Sequence, residues 1–167
     1  MTSDDHQLFE FKGSCFCGAI TYSVKGEPLV RAYCHCSICQ RLTGCPFIHT
    51  IHFPDSSFTW THVSTNPSSA LEVPGIVPYI IPQKPHKTRL RCAECGVYVA
   101  SHNASARKWS VWGAHLQRDA DGRILEEVWK RVKPTGHIFY GTRMVDIPDG
   151  LGKWEGYEEQ SQKIEEN

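Results

Sequence analysis

The chain has 167 residues, enough to bury a core without disulfide staples. Its 18 basic and 18 acidic residues cancel, which argues against a nucleic-acid footprint or an anionic membrane partner. The polar, acidic start has no signal-like apolar core behind it and no apolar run reaches bilayer length. A cytosolic or nuclear setting is therefore expected, with the cytoplasm first, and there clustered cysteines point to metal or catalysis.

Residues 1–8 are expected to be a flexible N-terminus, residues 9–157 one zinc-binding domain, and residues 158–167 an acidic tail. In Cys15-Phe16-Cys17 an extended chain puts the two sulfurs on one face and Phe16 in the core. Residues 19–24 alternate as a strand, and residues 25–28 turn. Residues 29–33 then lead into Cys34-His35-Cys36-Ser37-Ile38-Cys39. The same alternation turns His35 away from the sulfurs, although a tight turn would bring it to the metal instead.

Ser37 and Gln40 spell an S-x-x-Q capping box, and Gly44 suits a helix exit, so a short helix is predicted over 37–43. Its positive end would favour thiolates at Cys36 and Cys39. Residues 47–53 alternate, with Phe47, His49, Ile51 and Phe53 on one face and Ile48, Thr50 and His52 on the other. Cys45 falls on the first alternation, which predicts a small buried side chain rather than a ligand. Residues 58–63 are expected as the hairpin partner of that strand.

Residues 66–86 carry Pro67, Pro74, Pro78, Pro82 and Pro85 with weak periodicity, and predict a long, partly ordered excursion serving as a lid. Residues 88–91 and 97–101 form a hairpin around Cys92-Ala93-Glu94-Cys95. A strand follows over 109–116, closed by a turn at 119–122. Ile124, Leu125, Val128, Trp129 and Val132 recur at helical spacing until Pro134. Residues 137–145 are predicted as a strand, and the chain after Trp154 as frayed.

The eight cysteines fall in clusters that suit metal far better than disulfides, because short C-x-C and C-x2-C loops deliver thiolates to one point in pairs. Several partitions are open. The simplest gives one zinc Cys15, Cys17, Cys92 and Cys95 and leaves Cys34, Cys36 and Cys39 for a second. Four ligands make a closed structural site, and three leave the open position of a catalytic one. Gly18 and Gly96 behind the cysteines let backbone amides turn toward the sulfurs.

The segment Gly13-Ser14-Cys15-Phe16-Cys17-Gly18-Ala19, the Cys34-His35-Cys36-Ser37-x-Cys39 run with Thr43-Gly44, and Cys92-x-x-Cys95-Gly96 resemble the glutathione-dependent formaldehyde-activating enzyme family, which includes the centromere protein V-like proteins. Pro134-x-x-His137-Ile138 and Lys153-Trp154 are weaker landmarks of it. The resemblance implies a mainly β, Mss4-like zinc-binding fold of short antiparallel sheets with one or two short helices. It implies the same two zinc sites and a carbon–sulfur lyase that acts on a thiol–carbonyl adduct, glutathione-linked. Cys45 and the proline-rich excursion depart from the family pattern.

A zinc held by three thiolates is a weak Lewis acid, which favours labile binding of a thiol or carbonyl over water activation. His49 and His137 are the catalytic candidates for proton transfer. His52 is a further candidate or a solvated surface residue. Tyr140 and Arg143 are candidates to bind a substrate carboxylate. Two alternatives stay open: a non-catalytic zinc scaffold that offers Trp109, Trp112, Trp129 and Trp154 to a protein partner, and a zinc dehydratase or isomerase on another metabolite.

Overall fold

The computed structural model describes residues 8–165. The expected flexible segment 1–8 therefore lies, except for Leu8, outside the described residues, as do residues 166–167 of the acidic tail. The chain runs through β1 (Glu10–Ser14), β2 (Thr21–Lys25), β3 (Val30–Cys34), α1 (Ser37–Thr43), β4 (Ile48–Pro54) and β5 (Phe58–Trp60). It continues through β6 (Ile76–Ile81), β7 (Lys84–Cys92), β8 (Tyr98–Asn103) and β9 (Lys108–Trp112). It ends with α2 (Glu126–Val132), β10 (Gly136–Ile138) and β11 (Gly152–Lys153). The fold is mainly β with two short helices, as the sequence predicts.

The described residues form two sheets. The small antiparallel one has the order β1-β2-β5, and the large one the order β11-β10-β3-β4-β9-β8-β7-β6. From β3 to β6 every pairing in the large sheet is antiparallel, whereas β10 runs parallel to both β3 and β11. Phe11 and Val24 of the small sheet meet Ile51, Phe53, Leu90, Val99 and Val111 of the large one in a single core cluster, closed by Val128 and Val132 of α2. Each such fully buried side chain contributes about 1.5–3 kcal/mol. Ala32, Cys34, Cys39 and Ile138 form a separate small cluster beneath α1.

Several expectations are corrected. The second half of the excursion over 66–86 is sheet, since β6 and β7 form a hairpin whose turn holds Pro82, while residues 66–75 stay outside any strand. Branched and aromatic residues from Ile76 to Ile81 outweigh the prolines. Pro78 sits on the edge strand, where a missing N–H is tolerated, and Pro85 lies in the bulge between Ile80↔Thr88 and Ile81↔Lys84. Residues 58–63 do not pair with β4, because β3 and β9 occupy both of its edges, and β5 joins β2 instead.

The strand predicted over 109–116 ends at Trp112 and passes into a 3-10 turn, Gly113–His115. A Cβ at Gly113 would lie 1.9 Å from Nδ1 of His49, so only glycine fits there. The strand predicted over 137–145 stops at Ile138, where Phe139 takes a left-handed φ of 55° and starts a 3-10 turn. From Glu155 to Ile164 the chain is tied down rather than frayed: Glu155 N–H donates to Gln162 at 3.0 Å and Ile164 N–H to Lys153 at 2.8 Å. Among the described residues no helix is long and apolar enough to cross a membrane.

Candidate metal centres and active-site cavity

The turn after β1 carries Cys15 and Cys17, and the turn closing β7 carries Cys92 and Cys95. Their four sulfurs all lie within 4.8 Å of one another. Zinc–sulfur bonds of about 2.3 Å in a tetrahedron require sulfur–sulfur edges of about 3.8 Å. Cys17 and Cys92 are 3.8 Å apart and Cys15 and Cys17 are 3.5 Å apart, so the donor set fits a four-thiolate metal site. The Val97 amide, with Cys17 and Cys92, pulls the Cys95 thiol down to about 6. Gly18 and Gly96 both adopt positive φ, the conformation that aims amides at sulfur. Phe16 is 89% exposed, which corrects its expected core position: Gly18 N–H bonds back to Cys15, so the segment is a turn and strand alternation does not apply.

Cys34 ends β3, and Cys36 and Cys39 lie at the start of α1. These three sulfurs again converge within 4.8 Å, with Cys34 and Cys39 at 3.8 Å. The N-cap is Cys36 rather than Ser37, its sulfur accepting the Cys39 amide at 3.4 Å. Gln40 does not close a capping box; its side-chain amide donates to the carbonyls of His35, Pro46 and Thr142. Gly44 closes the helix in the left-handed conformation, as predicted. Hydrogen bonds from Cys34 and Cys39 pull the Cys36 thiol far below its ordinary value, and the same sharing pushes Cys34 well above.

A cavity of about 260 Å³ opens over this cluster. Lys84, Lys87 and Arg89 of β7 and Lys108 of β9 bring four cations to its lining, which among the described residues contains no carboxylate. Arg89 is 9% exposed; it donates through Nη1 to Ser101, and its buried Nε has no hydrogen-bond partner. Burial lowers Lys108, and burial plus the neighbouring cations lowers Lys87. Arg89 acts on the Cys36 thiol beneath it and helps to lower it, and a wall of this charge also suits an incoming anion. Of the four cations only Lys84 falls in the stretch expected to be an excursion; Arg89 lies in the strand predicted over 88–91, and Lys87, Arg89 and Arg91 at spacing two spell one strand face.

His52 lines the same cavity, correcting the solvated reading. Burial, reinforced by Lys108, Lys87 and Arg89, pushes it down to about 3, so it is neutral near pH 7. Its Nε2 lies 3.1 Å from Thr50 Oγ1, and its Nδ1 has no partner. His49 and His137 do not line the cavity. His49 points to the other side of β4, donates to Val132 O at 2.8 Å and borders a separate cavity of about 530 Å³. His137 is buried behind the cysteine loop between His35 and Asp149. His35 itself turns away from the sulfurs, as the alternation anticipated.

Cys45 belongs to neither cluster and is exposed rather than buried, because Gly44 turns the chain outward before β4 begins. Tyr140 is buried and its hydroxyl accepts the Ile147 amide, while Arg143 pairs with Asp146 and covers the Tyr140 ring. Neither lines the cavity, so the expected carboxylate site is not there.

The family described as glutathione-dependent formaldehyde-activating enzyme matches residues 10–142, a span that holds both cysteine clusters. The chain belongs to this family. A Rhodobacter sphaeroides protein solved by structural genomics aligns at 22% identity with a TM-score of 0.47, covering 74% of this chain and 99% of that one. No curated protein matches. The family's named activity is glutathione-dependent formaldehyde activation, chemistry on a carbon–sulfur adduct, and both cysteine clusters here are suited to hold metal ions.

Proposed function

We propose that this chain is a zinc-dependent, lyase-like enzyme that makes and breaks the carbon–sulfur bond between an anionic thiol, glutathione foremost, and a small carbonyl such as formaldehyde. Three convergent thiols beneath a basic cavity carry this reading. Cys15, Cys17, Cys92 and Cys95 would hold a structural zinc, and Cys34, Cys36 and Cys39 a second, open one. When bound there, zinc supplies a labile position at which a thiol or carbonyl oxygen is held and polarised.

The remaining work falls to side chains. Arg89, Lys87 and Lys108 bind the thiol's carboxylates, which fixes the sulfur end toward the cysteines. In the forward direction the C–S bond forms as sulfur attacks the carbonyl carbon. The thiol proton leaves through the free Nδ1 of His52 and returns to the carbonyl oxygen, giving the S-hydroxymethyl adduct. Burial is the larger cause of the low basicity of His52, and an anion beside Lys108, Lys87 and Arg89 offsets the share that these cations add. The reverse reaction retraces these steps. The proposed setting is the cytoplasm, where thiols remain reduced.

The test is the exchange of carbon-13 formaldehyde with glutathione, followed by NMR. The zinc-loaded chain should accelerate it, and Cys36→Ser should not. Exchange at the uncatalysed rate with two zinc ions bound would refute the lyase reading.

A further inference from the structure

A buried hydrogen-bond chain runs behind the three-cysteine cluster. Asp149 Oδ2 lies 2.9 Å from His137 Nε2, and His137 Nδ1 lies 2.8 Å from His35 Nε2. Both histidines are fully buried. Asp149 is held in turn by the Leu151 amide at 3.0 Å and by the buried Lys153 ammonium at 3.6 Å. We infer that Asp149 and His137 are positioning residues for the three-cysteine centre, acting by pegging His35 between two of its sulfur-bearing neighbours. The inference rests on the reading of that cluster as a zinc site.

The carboxylate is the one member that can only accept, so it fixes the polarity of the whole chain. Asp149 accepts Nε2–H of His137. The bare Nδ1 of His137 then accepts Nε2–H of His35. That leaves Nδ1 of His35 as a buried acceptor with no partner. Without Asp149 either ring could reverse its tautomer, and the bond between them would lose its direction.

The rest of His35 is pinned to match. Its N–H donates to Ile138 O at 3.0 Å, and its carbonyl accepts Gln40 Nε2 at 2.7 Å and Thr142 Oγ1 at 3.0 Å. Phe47 stacks on the ring at 5.0 Å and Tyr140 meets it edge-on at 4.9 Å. A residue held on every side cannot shift without moving Cys34 and Cys36, its immediate neighbours. The landmark histidine of the sequence thus acts from behind the metal centre rather than on the substrate.

The closed cluster at Cys15, Cys17, Cys92 and Cys95 uses none of these residues and serves as an internal control. The experiment follows zinc release from the full chain to a colorimetric chelator, with the absorption of the cobalt-substituted protein recorded beside it. In His137→Phe the ring packing is kept and both hydrogen bonds are lost. The faster-released zinc should be held about 10- to 100-fold more weakly, the slower one unchanged. The sulfur-to-cobalt band of the second site should shift, and His137→Gln, which can donate and accept, should restore part of the affinity.

Should His137→Phe fail to fold, Asp149→Ala at the 30%-exposed rim carries the same expectation. Release of both zinc ions at wild-type rates from the variant would overturn the positioning role while leaving the zinc site intact. A wild-type chain that holds one zinc only would overturn the site reading and this inference together.

Discussion

Arg89 on β7 faces Ser101 on β8 in the sheet register, and its Nη1 donates to that hydroxyl while its Nε stays buried and unpaired. The serine orients the guanidinium but cannot neutralise it. A carboxylate arriving in the cavity supplies the missing acceptor.

Arg89→Met should therefore weaken binding of glutathione by about ten- to hundredfold, the equivalent of one charge-assisted hydrogen bond. Binding of 2-mercaptoethanol, which has no carboxylate, should be almost unchanged. Calorimetric titration of both thiols into the zinc-loaded proteins checks this. Equal losses for the two thiols would assign Arg89 to the fold instead.

The two cysteine clusters should respond differently to mutation. Cys92→Ser removes a ligand from the closed site at the junction of β7 and β8, where metal binding contributes folding free energy directly. It should lower the melting temperature steeply. Cys39→Ser should leave melting close to the parent value and abolish carbonyl–thiol exchange. Thermal unfolding and zinc content of the two variants, measured together, decide the matter; equal destabilisation would erase the structural and catalytic distinction.

Cys45→Ala should keep both zinc ions and most activity. The residue is exposed, and its sulfur lies 3.8 Å from the Thr43 carbonyl. Metal analysis beside the parent is the check, and the loss of one zinc equivalent would make Cys45 a ligand.

Acid should weaken the fold through His49. Burial holds it at about 4 when folded, against the ordinary 6.5 of a histidine in the unfolded chain. Between those values the unfolded chain binds a proton that the folded chain refuses, so stability is complete above pH 6.5 and falls as pH drops toward 4. The full loss is roughly 3 kcal/mol. Urea unfolding at pH 7 and pH 5 should show a smaller difference for His49→Gln than for the parent. An identical difference would remove His49 from the account.

Much of this was legible in the sequence for a physical reason. Zinc chemistry demands short cysteine spacings, so both clusters could be read locally, and Gly44 marked the end of α1. Pairing between distant strands leaves no such mark. The partner of β5 depended on which edges β4 had left, and the prolines of residues 66–86 hid a hairpin that tolerates them on an edge and in a bulge. Alternation separated His49 from His52 correctly but could not say which face of β4 the cavity would occupy. His137 carried a recognisable motif, yet its burial between His35 and Asp149 appears only when β10 pairs with β3. Phe16 was misplaced because a metal knuckle turns where a strand would extend.

The most direct test of the central claim is the absorption spectrum of the cobalt-substituted chain during titration with glutathione. An open three-thiolate position predicts that the sulfur-to-cobalt band gains intensity and saturates at one equivalent of thiol per second-site metal, and that Cys36→Ser abolishes the change. A spectrum indifferent to glutathione, with both metal sites filled, would contradict the account.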